Sequence, residues 1–180
     1  MPHEAPQPEI GQIFLSATAQ DCRVYREAVR DFIHDNLESA RIFLQENWAA
    51  GGQYVEKVCK RKVQECDAYL GLFGHRYGWT PPLQRCSITE LEFRWAVERW
   101  GSGEAPIFIF RPVPGSEADQ HLREQAAQFH AQMPPAEAEA DQAAQREFLA
   151  SVDQWAGGRI QVFYRSPLQL VGKALCCIKD

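Results

Sequence analysis

Ala68-Tyr69-Leu70-Gly71-Leu72-Phe73-Gly74 is an apolar run with no polar residue in it. It is too short for a buried helix and lacks the alternation of a half-exposed strand. It therefore reads as a strand covered on both faces, the type found inside parallel sheets. Outward from it, the same kind of run recurs. Ile13-Phe14-Leu15 comes first and ends at Ser16-Ala17-Thr18. Ile42-Phe43-Leu44, Ile107-Phe108-Ile109-Phe110 and Ile160 to Tyr164 complete a set of five. Helical patterns separate them. One starts near Asp21, with Cys22, Tyr25, Val29, Phe32 and Ile33 on one face. A second carries Tyr54, Val55, Val58, Cys59 and Val63; a third runs over 88–100; a last one spans about 167–178.

Apolar runs alternating with amphipathic helices predict a doubly wound α/β fold with five parallel strands, in flavodoxin-like order 2-1-3-4-5. That order sets the topological switch point between strands 1 and 3, outside their carboxyl ends, where a ligand is expected. The loop after strand 1 (Ser16, Thr18) and the loop after strand 3 (Gly74 to Gly78) would line it. Residues 1–10 are Pro-rich and polar and read as a disordered lead-in, with a single domain over 11–180. Residues 115–156 exceed the minimal unit. They read as a helical insertion, two helices joined at Pro134-Pro135 and packed together on one flank of the sheet, with Phe148, Leu149, Val152 and Trp155 as a core stripe.

The chain has 180 residues, 19 Lys+Arg against 24 Asp+Glu, and a net charge of −5. The acidic balance argues against sequence-independent nucleic-acid binding, which needs a basic stripe. No apolar run approaches the ~20 residues of a membrane span, and the first residues lack the apolar centre of a secretory signal. The six cysteines form no Cys-x-x-Cys pair, so no metal site is expected. Free thiols in a cytoplasmic protein are the expectation. Gly71, Gly74 and Gly78 are not followed by Gly-Lys-Ser/Thr, which excludes a phosphate loop and NTP hydrolysis.

The helix at 88–100 carries the chemistry. Ser87-Ile88-Thr89-Glu90 matches a capping box, in which Ser87 caps the helix and Glu90 reaches back to the cap. On a wheel at ~100° per residue, Glu90, Arg94 and Glu98 share the polar face. Glu92 falls inside the apolar arc, between Ile88 and Ala96, with Arg99 projecting two turns on. An inward carboxylate must be paired, line a cavity or hold its proton more tightly. Glu92 is therefore either a core acid satisfied by an arginine or a pocket acid beside the switch point. Its place at the carboxyl end of the sheet favours the second reading.

These stretches together resemble a known family. Ile13-Phe14-Leu15-Ser16-Ala17-Thr18 with Asp21 is similar to the first strand and loop of TIR-like domains. The run Cys66 to Gly78 and the block Ser87-Ile88-Thr89-Glu90-Leu91-Glu92-Phe93-Arg94-Trp95-Ala96 resemble the TIR-like N-terminal domains of STAND NTPases in bacterial defence systems and of animal NACHT–WD-repeat proteins. The resemblance covers about 11–112 and, more weakly, 159–178. It implies an innate-immunity effector that hydrolyses NAD+, with NAD+ as substrate and no cofactor, forming the N-terminal part of a larger protein with an NTPase or sensor module. It also implies self-association. In NAD-cleaving TIR domains the catalytic Glu stands in a Glu-x-x-x-Ala context. Glu92 with Ala96 fits that register, whereas Glu90 is followed by Arg94. Relatives carry Glu-Arg in the first helix, where this chain has Tyr25-Arg26.

The supporting roles that the resemblance suggests each have a structural alternative. Ser16 and Thr18 would bind ribose or phosphate, or else cap the first helix. Arg76 would meet the pyrophosphate, or else form an internal ion pair. Trp48 or Tyr77 would stack on a ring. TIR-like enzymes complete their site with the loop after strand 2 of a neighbouring protomer. Here that loop is Glu46 to Gln53, with Trp48 either docking on a neighbour or folding back on its own domain. Two other functions fit the same residues: a catalytically silent adaptor acting by self-association, and a nucleoside deoxyribosyltransferase-like enzyme.

Overall fold

The computed structural model describes residues 11–44, 52–101, 106–156 and 161–179. Five strands, β1 (Gln12–Ala17), β2 (Arg41–Phe43), β3 (Ala68–Leu72), β4 (Ile107–Pro112) and β5 (Gln161–Tyr164), form one sheet in the order β2-β1-β3-β4-β5. Every pairing is parallel. All five residues of β3 are buried, as its continuous apolar run predicts for a strand covered on both faces.

The helices are α1 (Arg23–Asn36), α2 (Gly52–Glu65), α3 (Ile88–Trp100), α4 (Glu117–His130), α5 (Pro135–Ala156) and α6 (Pro167–Lys179). Successive strand residues face opposite ways, so the core divides into two layers. Ile13, Leu15, Ala17, Leu70 and Leu72 face α1 and α6. Phe14, Tyr69, Phe73 and Ile109 face α2, α3 and α5. Among the described residues no helix is long and apolar enough to cross a membrane.

The segment 115–156 departs from the expectation of two helices on one flank. α5 lies in the second layer, where Phe148 and Val152 are buried and Leu149 and Trp155 pack alongside. The Phe148 ring meets Phe73 at 4.9 Å and Phe93 at 5.8 Å between centres. α4 instead buries Ala118 and Leu122 in the first layer, against α1. The reason is handedness. A right-handed β4-to-β5 crossover needs its helix on the α3 side. α5 fills that place, and α4 is the surplus helix, placed in the other layer.

Arg99, two turns beyond Glu92, reaches the end of α2. Its Nη1 donates to the Val63 carbonyl at 2.7 Å and to the Cys66 carbonyl, satisfying the chain where α2 ends. It is tied to α2 rather than to Glu92.

Candidate functional site

The alternation of β1 decides the site. Phe14 faces the α3 layer, so Ser16, two residues on, faces it too, and a hydroxyl stands where the pattern calls for an apolar residue. Gly71 is its register partner on β3. A Cβ on Gly71 would lie 2.6 Å from the Phe73 ring and 3.0 Å from Ile109. Glycine here lets Phe73 fold back beneath the end of the sheet.

α3 begins at Ser87, whose Oγ accepts from the Glu90 amide at 3.3 Å. Glu92, in the helix's second turn, is 1% exposed, and so is Ser16. The Ser16 hydroxyl donates to Glu92 Oε2 at 2.6 Å. Oε1 is equally buried and makes no hydrogen bond of ordinary geometry among the described residues. Burial pushes the Glu92 carboxyl up to about 7; the Ser16 hydroxyl, the Cys59 thiol and the positive charge of Arg26 pull the other way. Burial first, and then the Glu92 charge, raise the neighbouring Cys59 thiol and the Tyr69 phenol. The result is an acid that is about half ionised near neutrality, enclosed by groups that stay protonated.

Glu90 does not complete the capping box. Its carboxylate accepts from the Tyr77 hydroxyl at 2.5 Å and from Arg94 Nη2 at 2.5 Å. Two charge-assisted partners outcompete a single backbone amide. Ser87 caps as expected, and Glu90 braces the β3–α3 loop.

Of the other expected site residues, Ser16 alone meets Glu92. Thr18 donates to Cys22 Sγ at 3.5 Å and lies beside Asp21. Neither Ser16 nor Thr18 caps α1, whose N-cap residue Cys22 has no side-chain cap. Arg76 is covered: its guanidinium carbon sits 3.2 Å from the centre of the Phe129 ring, and Nη1 donates to Gln20. Tyr77 packs against Phe148 rather than presenting an open ring. Trp48, with residues 45–51 of its loop, lies outside the described residues.

The α4–α5 hairpin clasps this edge. His75 pairs with Asp119 at 2.7 Å. Gln145 donates to the Gly74 carbonyl at 2.8 Å, and the Tyr77 amide donates to Asp141 at 3.3 Å. His130 pairs with the same Asp141 at 2.8 Å. Leu122 reaches to within contact of Gly74, whose Cβ would also press on Asp21 and Cys22. Among the described residues no group of His, Cys, Asp and Glu could hold a metal ion.

The clasp and the buried surroundings of Glu92 are not evident from motif spacing. One residue had a signal. Arg26 stands four positions after Cys22 and seven before Ile33, on the buried face of α1, and it is 0% exposed.

The chain belongs to the family described as "Domain of unknown function (DUF4062)", whose model matches residues 12–166. The match starts at the first residue of β1, takes in Ser16, Arg26, Glu92 and the α4–α5 hairpin, and ends just past β5. No curated protein matches it.

Proposed function

We propose that this DUF4062 domain cleaves an N-glycosidic bond in a nicotinamide nucleotide, hydrolysing NAD+ to nicotinamide and ADP-ribose. One observation carries the reading: a carboxylate at the switch point of the sheet, hydrogen-bonded to Ser16 and balanced near neutrality between its two charge states. Groups with such environments concentrate at functional sites. The similarity of the Ser16-to-Thr18 and Ser87-to-Ala96 stretches to TIR-like domains supports the same chemistry.

The bond from ribose C1′ to the pyridinium nitrogen breaks with its electron pair going to nicotinamide, which leaves neutral. No general acid is therefore needed. The oxocarbenium-like ribose is stabilised by a carboxylate, as in glycoside hydrolysis. Water adds at C1′ and releases a proton to solvent. Glu92 in its ionised form would hold the ribose hydroxyls and face the developing cation. Ser16 fixes the orientation of that carboxylate.

The setting proposed with this activity is an effector in a defence assembly, active when protomers cluster. The deep burial of Glu92 supports a second reading, a silent adaptor in which Ser16–Glu92 is only a structural pair. One experiment separates them. Purified protein is incubated with NAD+ or with deoxynucleosides across a range of protein concentrations, and products are resolved by chromatography. Free nicotinamide that disappears in Glu92→Gln is expected. Free base from deoxynucleosides alone would redirect the reading to a deoxyribosyltransferase-like enzyme. No product from either substrate at any concentration would leave the adaptor.

A further inference from the structure

Trp79, in the loop between β3 and α3, is 48% exposed. A ring of that size ordinarily serves the core. The other described tryptophans have partners for their rings: Lys60 lies over Trp95, Arg99 over Trp100, and Phe93 meets Trp155 edge-on. Among the described residues, no ring or cation stacks on Trp79. Its loop is nevertheless braced. The Trp79 carbonyl accepts from the amide of Ile88, the first residue of α3, at 2.9 Å. Pro81 is buried, and the Gln84 side chain donates to Glu56 of α2 at 3.0 Å. Gly78, at φ 89, lies so close to the end of β1 that a Cβ there would stand 2.9 Å from Thr18 Cγ2.

Two elements place this ring relative to Glu92. On the β1 side, Ser16 bonds Glu92, and Thr18, two residues further toward the carboxyl end, meets Gly78. On the α3 side, Ile88 holds the Trp79 carbonyl and stands one turn before Glu92, on the same face of the helix. Both give one order outward from the sheet: Glu92 enclosed, the Thr18–Gly78 contact above it, and Trp79 at the rim.

We propose that Trp79 is the stacking platform for the adenine of the dinucleotide whose other end meets Glu92. The bond to be broken lies beside the nicotinamide ring, so that ring goes inward with its ribose. Adenine is at the opposite end of the molecule, beyond both phosphates and the second ribose, and stays at the rim. A purine offers a flat π face, and an indole on a braced loop gives up little freedom in stacking on it.

The inference rests on the reading of the switch point as a nucleotide site, and its test measures binding apart from turnover. The affinities of AMP and of nicotinamide mononucleotide are measured by isothermal titration calorimetry. The proteins are wild type, Trp79→Ala, Trp79→Leu and Trp79→Phe, each checked by its melting curve. Trp79→Ala and Trp79→Leu should weaken AMP binding about 5- to 150-fold, the loss of one base–aromatic stack. Trp79→Phe keeps a π face and should retain most of the affinity. Nicotinamide mononucleotide should bind all four proteins alike. Should Trp79→Ala not fold, the Leu and Phe variants carry the comparison. AMP affinity in Trp79→Leu equal to wild type overturns the inference, because apolar bulk alone would then suffice. Loss of nicotinamide mononucleotide rather than AMP also overturns it, as does wild type that binds no AMP at millimolar concentration. Loss of AMP binding in the variants of a protein that releases no nicotinamide from NAD+ would sustain the platform and remove the hydrolysis. Nicotinamide release with a KM for NAD+ that Trp79→Ala leaves unchanged would overturn the platform and sustain the hydrolysis.

Discussion

Replacing Glu92 by Gln should stabilise the protein in alkaline solution and do little in acid. In the unfolded chain this carboxyl titrates near 4.5, and in the fold it titrates at about 7. Between those values the folded chain holds a proton that the unfolded chain releases. The stability associated with Glu92 is therefore full below pH 4.5 and is lost as pH rises through 7. At about 1.4 kcal/mol per pH unit, the whole window amounts to about 3 kcal/mol. Melts at about pH 5 and about pH 8 sample about 2 to 3 kcal/mol of it. Gln keeps the volume and a polar end for Ser16 but cannot ionise. Any constant difference in packing or hydrogen bonding appears equally at both pH values and cancels. The measured quantity is thus the change in the wild-type-to-variant difference between the two. In thermal melts it corresponds to about 5 to 10 °C for a domain of this size. Parallel pH profiles for the two proteins would refute the reasoning, because Glu92 would then titrate alike in folded and unfolded chains.

Further outcomes follow from the same geometry. The kcat/KM for NAD+ should rise with pH along a limb centred near 7 and level off above it, since the ionised carboxylate is the working form; initial rates that fall through that range would contradict the assignment. Gln145→Ala removes the donor to the Gly74 carbonyl and should cost about 1 to 3 kcal/mol in urea unfolding. Arg99→Met removes the guanidinium from the Val63 and Cys66 carbonyls, leaving Val63 only the Cys66 thiol, and should cost a similar amount, about 1 to 3 kcal/mol; an unchanged urea midpoint would show that solvent replaces the guanidinium freely. Leu83 sits at φ 72 in the turn closed by the Gln84 amide on the Pro81 carbonyl, and is 91% exposed. Leu83→Gly should relieve that backbone strain and raise stability by about 0.5 to 1 kcal/mol, read from the same melts.

The sheet was legible because each strand is a short apolar run, and burial on two faces leaves few other arrangements for such runs. Glu92 was legible because the wheel of α3 puts it among Ile88, Phe93 and Ala96, with which it is indeed buried. Ser16 was expected in the loop after strand 1 as a ligand or helix cap; it lies within β1, and its hydrogen bond to Glu92 was not foreseen. The second half of the capping box failed because local spacing says nothing of Tyr77, thirteen residues away in sequence, which takes the Glu90 carboxylate. The layer of α4 was not legible either. Its buried residues are Ala118, Asp119, Leu122 and Ala126, and a stripe that small marks an inward face without saying which layer it meets. Arg26 required reading a charge as part of an apolar face, against its ordinary preference for water.

The bonds that tie the carboxyl edge together have a consequence for the order of assembly. Ser16 and Glu92 are 76 residues apart, Gly74 and Gln145 71, Tyr77 and Asp141 64, and His75 and Asp119 44. Helices condense from neighbours a few residues away, but each of these bonds waits until a long loop has closed. The β1–β3 pairs of the sheet close a loop of similar length, Ile13 lying opposite Ala68, so whether the switch point opens without dissolving the strands beneath it is a question for experiment. Cys22 and Cys59 flank it, both completely enclosed, so their reaction with a thiol reagent requires such an opening. Thiol-reagent labelling of these two at the rate of global unfolding would show that the edge never opens alone; faster labelling times the breathing by which a closed site admits a substrate.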